Sequence, residues 1–186
     1  MFASQCLQKL LTDYDTQFVT VLDVGSGPGE HAAAFRKAGK IVTETDWSRD
    51  GDYLLQHFDE PFDLVWCSHV LEHMPNVRAC LLTLAQDCKP GGLLAITVPP
   101  HKQEIVGGHL SIWNAGLLAY NLAAAGIDCS TMRVKKYDYN ISVIVQNNRF
   151  AVPTLKNDCG DLETLQPYLP AFVRNGISGD VDQWNW

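Results

Sequence analysis

The chain has 186 residues, of which 46% are hydrophobic and 19% are charged, and its formal net charge is −7. This length and composition suit one globular domain and exclude a fibrous or intrinsically disordered chain. Because nucleic acids and anionic lipids attract positive surfaces, the acidic balance argues against a nucleic-acid partner. We therefore expect a globular protein that does not act on nucleic acid.

The cysteine and hydropathy patterns point to a cytoplasmic protein. The six cysteines include no Cys-x-x-Cys pair, and Lys9 lies inside the first apolar stretch rather than before it, unlike the charge of a secretory signal. Free thiols in a reducing compartment are the simplest interpretation. The longest nearly apolar stretch, residues 115–127, is too short to span a bilayer. We expect a cytoplasmic monomer or homodimer without membrane contact.

Hydrophobic periodicity predicts strands that alternate with helices. The run at 53–58 fits either a short helix or a stunted strand, and the Lys-Pro-Gly-Gly run at 89–92 should end the helix before it. In chain order we predict a helix over 2–14, a strand over 18–24, a helix over 30–38, a strand over 41–45, a strand over 62–67, a helix over 77–88, a strand over 93–98, a helix over 113–125, and strands over 129–139 and 141–146.

This alternation indicates an α/β fold. Several strands are apolar on both faces, which is typical of a parallel sheet covered by helices on both sides. The last two strands, joined by a turn at Tyr139-Asn140, should form a hairpin that adds an antiparallel C-terminal strand. Residues 150–186 contain three prolines and show no strong period. We expect a domain at 1–149 and an irregular tail at 150–186 with a short helix around 162–169.

A glycine-rich loop, Asp-Val-Gly-Ser-Gly-Pro-Gly over 23–29, follows the first strand and precedes a helix. Glycines let the backbone approach a ligand, and the helix N-terminus behind them offers free N–H groups, so the loop suits a nucleotide-like cofactor. The dinucleotide pattern G-x-G-x-x-G fails from Gly25, because Glu30 stands where its last glycine belongs, but a looser form from Gly27 fits. Spacing alone leaves the cofactor open, and a purely geometric glycine turn is the remaining alternative.

Asp46 lies at the end of the second strand, 21 residues after Gly25. A carboxylate there can accept both hydroxyls of a ribose, as the equivalent acid of dinucleotide folds does. Trp47 beside it could cover an adenine or simply fill the core. Neither residue discriminates between cofactors that carry adenosine.

Four blocks follow one another along the chain: VLDVGSGPGE at 21–30, Asp46, FDLVWCSHVLEH at 62–73 and KPGGLLAITV at 89–98. In this order they resemble the signatures of class I S-adenosylmethionine-dependent methyltransferases, most closely the short small-molecule branch. The resemblance covers about residues 15–147 and does not include the tail. It implies a Rossmann-like doubly wound sheet and S-adenosyl-L-methionine as cofactor.

The resemblance also implies which residues meet the cofactor. In this family the glycine block wraps the methionine portion, the acid after the second strand binds the ribose, and the residue beside it flanks the adenine. Residues at the end of the strand before the LEH block line the same pocket. These roles fall on Asp23, Gly25, Ser26, Gly27, Asp46, Trp47, Cys67 and Ser68.

One departure from the family pattern is clear. Fuller members have a helix and a strand between the ribose acid and the FDLV strand, with a further acid near the adenine amine. Only residues 47–62 are available here, so we predict that this helix–strand unit is truncated. Asp50 and Asp52 are the candidates for the adenine acid.

His69-Val70-Leu71-Glu72-His73 also satisfies H-x-x-E-H, an inverted zinc-protease pattern. Two histidines at i and i+4 on a helix can bind zinc with the glutamate as base. The segment leaves a strand directly, however, and His69 could precede the helix, while the same letters are ordinary in the methyltransferase block. We expect no metal site.

His101 and His109 lie in the loop over 99–112, which commonly borders the acceptor in this family. A neutral imidazole there could take a proton from a hydroxyl or amine during methylation, so both are candidate catalytic bases. Most of the six histidines could equally serve only in structural hydrogen bonds. The patterns in this loop do not identify the methyl acceptor.

Three functions are consistent with these patterns. The favoured hypothesis is methyl transfer to an O, N or C nucleophile of a small molecule by in-line displacement. The second is a non-catalytic, cofactor-binding partner subunit, suggested by the truncated unit and by Trp184 and Trp186 in the unexplained tail. The third, a nicotinamide-dependent oxidoreductase, is weakened by the later methyltransferase-like blocks.

Overall fold

The computed structural model describes residues 2–174 and 185–186. Within these residues one sheet contains six strands in the order β2-β1-β3-β4-β6-β5. The strands are β1 (Thr20–Val24), β2 (Ile41–Thr45), β3 (Phe62–Ser68), β4 (Cys88–Val98), β5 (Arg133–Tyr137) and β6 (Asn140–Gln146). The helices are α1 (Ser4–Asp13), α2 (Glu30–Lys37), α3 (Trp47–Asp50), α4 (Val77–Asp87), α5 (Ala115–Ala124), α6 (Asp161–Leu165) and α7 (Ala171–Arg174).

The strand directions confirm the doubly wound fold. Strands β1 to β4 pair in parallel, and β6 runs antiparallel to both β4 and β5. The chain leaves β1 through α2 to β2 on one side, then returns to β3 on the other side of β1. The strand order therefore reverses between β1 and β3, and the carboxyl ends of these strands flank the crevice where ligands of such sheets bind.

The expected truncation between β2 and β3 is confirmed. Residues 46–61 form only α3 and a 3-10 turn over Tyr53–Leu55, so β2 is the edge strand of the sheet. Of the run at 53–58, whose sequence fits either a short helix or a strand, residues 53–55 form this turn and residues 56–58 have no regular structure. The Tyr53 hydroxyl donates to Asp87 Oδ2 at 2.6 Å, which ties the short connection to the end of α4.

Helices cover both faces of the sheet, as predicted. The larger core lies under α4 and α5, and the smaller core joins α1 and α2 to Phe18 and Trp66. Residues of the C-terminal segment enter the larger core through Leu165, Leu169 and Val173. None of the helices in the part of the chain that the structure describes has the length and apolar surface to cross a membrane.

Several strand boundaries differ from the prediction, since β1 begins at Thr20 rather than at 18, β4 begins at Cys88 rather than at 93, and β5 covers only Arg133–Tyr137 of the predicted 129–139. The Lys-Pro-Gly-Gly run ends α4 but lies within β4, where it bulges out of the pairing between the Phe62–Cys88 and Leu64–Leu93 partners. The bulge is held by the residue after β6, because the Asn147 side chain donates to Ala85 O and Cys88 O at 2.8 Å each. These are contacts between distant segments, which local periodicity does not contain.

The closing hairpin turns at residues 138–139 rather than at Tyr139-Asn140. Asn140 is a buried residue of β6, and its Oδ1 accepts a hydrogen bond from Ala3 N at 3.1 Å. In the tail, the short helix predicted around 162–169 is found as α6 and the 3-10 turn after it. Trp186 packs against the smaller core, whereas Trp184 lies outside the described residues.

Candidate active site

A cavity of about 640 Å³ opens at the carboxyl edge of the sheet, beside the point where the strand order reverses. Its wall begins with Val24 and Gly25 at the end of β1 and continues with Thr45, Asp46 and Trp47 at the end of β2. Residues 51–54, His69, Val70 and residues 73–76 complete it. A cleft of this size and position suits a small organic ligand.

The glycine loop is shaped by its backbone. Gly25 has a φ of +73°, and a Cβ there would lie 2.3 Å from Val70 Cγ2. Gly25 N and Ser26 N both donate to Thr45 O, at 2.8 and 3.0 Å. A side chain at Gly25 would therefore strain the backbone and collide with the segment after β3.

The carboxylate of Asp46 is held in place by three donors. Its Oδ2 accepts from Gly27 N at 2.9 Å, and its Oδ1 accepts from Ser48 N at 3.0 Å and from Ser48 Oγ at 2.5 Å. The hydrogen bond from the Ser48 hydroxyl, with those from the two backbone groups, lowers the pKa of Asp46. A carboxylate offers about four lone-pair positions, so one position remains free for a ligand hydroxyl. Rotation of the Ser48 hydroxyl away from Asp46 would free a second position.

Several buried oxygens near the loop have no hydrogen-bond partner among the described residues. They are Asp23 Oδ2, Ser26 Oγ, Thr45 Oγ1 and Ser68 Oγ. Burial, followed by the nearby charge of Glu44, raises the pKa of Asp23 to about 7. Because buried polar atoms are normally paired, this group marks a place where a polar ligand or solvent belongs.

Two further residues occupy the outer wall of the cavity. Trp47 is 73% exposed, which excludes the alternative that it fills the core. Asp52 also lines the cavity, and its Oδ1 accepts from Leu54 N at 3.0 Å. Asp50, the other candidate for the adenine acid, does not line the cavity, because its carboxylate accepts from Asp46 N and pairs with Arg49.

The structure brings three of the eight cofactor candidates to the cavity wall: Gly25, Asp46 and Trp47. Asp23, Ser26, Gly27, Cys67 and Ser68 lie near the same strand ends but do not line the cavity. Gly27 is connected to the wall through its hydrogen bond with Asp46. Cys67 is fully buried, and burial raises the pKa of its thiol well above the usual range, so the thiol stays neutral.

The candidate catalytic histidines do not line the cavity either. His101 is exposed, and its backbone N–H donates to Trp113 O at 2.9 Å. His109 is half-buried and packs edge-on against His73, with 5.1 Å between the ring centroids. The histidines that do line the cavity are His69 and His73, which belong to the FDLVWCSHVLEH block and the H-x-x-E-H pattern but are not among the predicted site residues.

His69 is held between two polar side chains. Its Nδ1 lies 3.1 Å from Glu72 Oε1, and its Nε2 lies 3.0 Å from Asn140 Oδ1. Because Asn140 Oδ1 already accepts from the backbone of Ala3, it is an acceptor, and His69 Nε2 carries a hydrogen. Burial lowers the pKa of His69, but its contacts with Glu72 and Asn140 outweigh burial and raise it.

Comparisons with known proteins agree with this geometry. Residues 2–143 match a family model described as a methyltransferase domain. Malonyl-[acyl-carrier protein] O-methyltransferase of Salmonella typhimurium is 34% identical over 112 residues, which cover 51% of this chain and 44% of that protein. The tRNA 5-carboxymethoxyuridine methyltransferase of Escherichia coli is 26% identical over 149 residues, covering 67% of this chain and 52% of that protein.

A solved structure supports the fold. The 1,6-didemethyltoxoflavin-N1-methyltransferase of Burkholderia thailandensis, crystallised with 1,6-didemethyltoxoflavin and S-adenosylhomocysteine, has a TM-score of 0.66 at 16% identity and 79% coverage of each chain. The present chain spans about half the length of the curated relatives it matches. The family model, in contrast, covers most of this chain and includes the glycine loop, Asp46 and the segment after β3. The chain therefore belongs to the methyltransferase-domain family.

Proposed function

We propose that the chain binds S-adenosylmethionine in the cavity and transfers its methyl group to a small-molecule acceptor by in-line displacement. The observation that carries this proposal is the meeting of the glycine loop and Asp46 at the topological switch point. There Gly27 N donates to Asp46 Oδ2 at 2.9 Å beside the cavity of about 640 Å³. Membership of the methyltransferase-domain family supports the choice of cofactor.

The residues around the cavity fit this cofactor. Asp46 accepts a ribose hydroxyl, Trp47 covers one face of the adenine, and Asp52 accepts a hydrogen bond from the adenine amine. The unpartnered buried oxygens of Ser26 and Thr45 suit the polar groups of the methionine portion. The full set proposed for the cofactor is Asp23, Gly25, Ser26, Gly27, Asp46, Trp47, Asp52, Cys67 and Ser68.

The chemistry asks little of the protein beyond alignment. When bound, the cofactor supplies a methyl group that its sulfonium has already activated. The wall formed by His69, Val70 and Met74 can hold the acceptor in line and exclude water, and such positioning is worth several kcal/mol, on the order of 7 or more in well-oriented systems. His101 and His109 are the proposed bases for an acceptor that extends over the loop at 99–112.

The cofactor assignment is tested by calorimetry with S-adenosylmethionine. We expect Asp46→Ala to weaken binding by about 1.5–3 kcal/mol, because a charge-assisted hydrogen bond is lost. Asp59→Ala is the matched control, since Asp59 is an exposed acid that does not line the cavity. Equal affinities in the two variants would refute the ribose role of Asp46.

The acceptor class is tested by supplying cell extract with cofactor that carries a labelled methyl group. Label in the low-mass fraction supports a small-molecule acceptor. Label in the RNA fraction would refute it, and the relative that bears the name of a tRNA methyltransferase makes this arm necessary. Intact cofactor binding without transfer to any fraction would favour a non-catalytic partner subunit.

Three broader assignments belong to the same proposal. A cytoplasmic location is supported by six free cysteines, five of them buried as neutral thiols. Residues 1–149 form the methyltransferase domain, supported by the match over 2–143, and residues 150–186 form its C-terminal tail. A monomer or homodimer without a nucleic-acid partner is the expected assembly, which sedimentation with and without RNA would test.

A further inference from the structure

Glu72, His73 and His109 form a cluster at the edge of the cavity. Only His109 has a role in the proposed methyl transfer, as a candidate base, and a metal bound to its imidazole would replace that role. One potential ligand atom from each lies within 4.8 Å of the other two. Glu72 and His73 belong to a 3-10 turn after β3, whereas His109 comes from the loop at 99–112. Two segments distant in sequence therefore contribute to one cluster.

The backbone joins these two segments. Leu110 N donates to Glu72 O at 2.6 Å, and His73 Nδ1 lies 2.9 Å from Gly108 O. Gly108 has a φ of +83°, and a Cβ there would lie 3.3 Å from His73 Nδ1. The loop approaches this closely because residue 108 has no side chain, so the cluster is built into the fold.

Glu72 is a buried acid whose nearest polar neighbours are imidazole nitrogens. Its side chain is fully buried, and neither oxygen receives a hydrogen bond from any residue in the described ranges. The nearest cationic candidates are His69 Nδ1, at 3.1 Å from Oε1, and His73 Nε2, at 3.9 Å from the same atom. Both imidazoles approach Oε1, so Oε2 is left buried without a partner, and a metal ion at the cluster would supply one.

His73 presents the nitrogen that a metal requires. Gly108 O can only accept a hydrogen bond, so His73 Nδ1 carries the hydrogen and donates it. In the neutral ring Nε2 then bears the lone pair, and it faces Glu72. Histidine ligands of metals typically have this arrangement, with the other ring N–H donated to a backbone carbonyl.

We propose that Glu72, His73 and His109 bind one divalent first-row transition-metal ion such as Zn²⁺. Two imidazoles and one carboxylate are typical ligands of such ions, whereas Mg²⁺ and Ca²⁺ prefer oxygen ligands. In a tetrahedral site with bonds of about 2.1 Å, the ligand atoms lie about 3.4 Å apart. The exposed His73 and half-buried His109 must therefore move inward by about an ångström from the present separations of up to 4.8 Å.

This site differs from the one that the H-x-x-E-H pattern describes. That pattern uses histidines at i and i+4 of a helix, but His69 has a φ of +56° and precedes the 3-10 turn. Its Nε2 is also engaged by Asn140. In the proposed site Glu72 is a ligand rather than a base, and His109 takes the place of His69.

Three protein ligands leave coordination positions for another molecule, and His73 lines the cofactor cavity. In a role that rests on the proposed function, an acceptor hydroxyl bound there loses its proton to solvent as the metal withdraws charge from its oxygen. That oxygen then forms a bond to the methyl carbon as the carbon–sulfur bond breaks and the thioether leaves. The metal thus makes the acceptor a better nucleophile without changing oxidation state.

The test is a titration of metal-free, untagged protein with Zn²⁺ and Co²⁺, without cofactor or acceptor. We expect one ion per chain and visible Co²⁺ absorption bands that indicate nitrogen and oxygen ligands. His109→Asn and His73→Asn should each weaken binding at least as much as loss of an outer-sphere partner does, about 10- to 100-fold. His57→Asn is the control, because His57 is exposed and lies outside the cluster.

Several outcomes would overturn the site. These are the absence of saturable binding at one ion per chain, equal affinities in His109→Asn and His57→Asn, or tighter binding of Mg²⁺ than of Zn²⁺. The test does not use Glu72→Gln, because Glu72 is fully buried and its replacement affects folding as well as metal binding. His73 is exposed and His109 is half-buried, so their variants report on metal binding without a large effect on folding. Binding of S-adenosylmethionine is measured separately, so metal binding without cofactor binding would refute the proposed function and leave the metal site standing.

Discussion

Replacing Asp23 by Asn should change how the stability of this protein depends on pH. Asp23 lies near the end of β1, and only 1% of its surface is exposed. Burial, together with the nearby charge of Glu44, raises the pKa of its carboxyl to about 7. In the unfolded chain the same carboxyl has its ordinary pKa of 3.8. The folded protein therefore holds a proton between these two values that the unfolded chain has released.

The direction in which the free energy of unfolding changes with pH follows from this difference in proton binding. When the folded state binds more protons, the free energy of unfolding falls as the pH rises, here between about pH 4 and pH 7. A tenfold change in proton affinity is worth about 1.4 kcal/mol, so the total loss is about 4 kcal/mol. Asp23→Asn replaces the neutral acid by a neutral group of similar shape and should abolish that loss.

Urea unfolding followed by tryptophan fluorescence at pH 5 and pH 8 measures the effect. About two pH units separate pH 5 from the pKa of Asp23, so we expect Asp23→Asn to gain about 2.7 kcal/mol over the wild type between these pH values, or roughly 5–11 °C in Tm. Any constant cost of the amide cancels in the comparison of the two pH values. Asp59→Asn is the control at an exposed acid. Parallel pH profiles for Asp23→Asn and the wild type would refute the assigned protonation of Asp23.

Two further predictions separate packing from binding. Gly25→Ala should lower the free energy of unfolding by about 1–3 kcal/mol, because its φ is +73° and the new Cβ would lie 2.3 Å from Val70 Cγ2. Gly107→Ala, where a Cβ would have open space, should change the free energy of unfolding by less than about 0.5 kcal/mol, and equal losses in urea titrations would contradict this explanation. Trp47→Ala should leave stability nearly unchanged, because the side chain is 73% exposed, but should weaken S-adenosylmethionine binding by about 0.5–1.5 kcal/mol in calorimetry. Unchanged affinity would show that Trp47 does not cover the adenine.

Local patterns predicted most of the regular elements of this fold. The strand at 41–45 has the predicted bounds, and α4 begins at Val77, as predicted, because its apolar residues recur at helical spacing. The boundaries that failed depend on other segments. The Lys-Pro-Gly-Gly run is a bulge in β4 because the Asn147 side chain holds the carbonyls before it, and Asn140 is a strand residue because it is buried against Ala3.

The length, composition and ordered motifs of the sequence were enough to determine the doubly wound class, the truncated connection and the methyltransferase family. These features could be predicted because hydrophobic periodicity and the glycine loop are patterns of residues that are close together in sequence. Only the tertiary structure decided that His69 and His73 line the cavity while His101 does not. It alone brought His109 to Glu72 and His73, because loop closure and burial depend on contacts between residues that no local spacing relates.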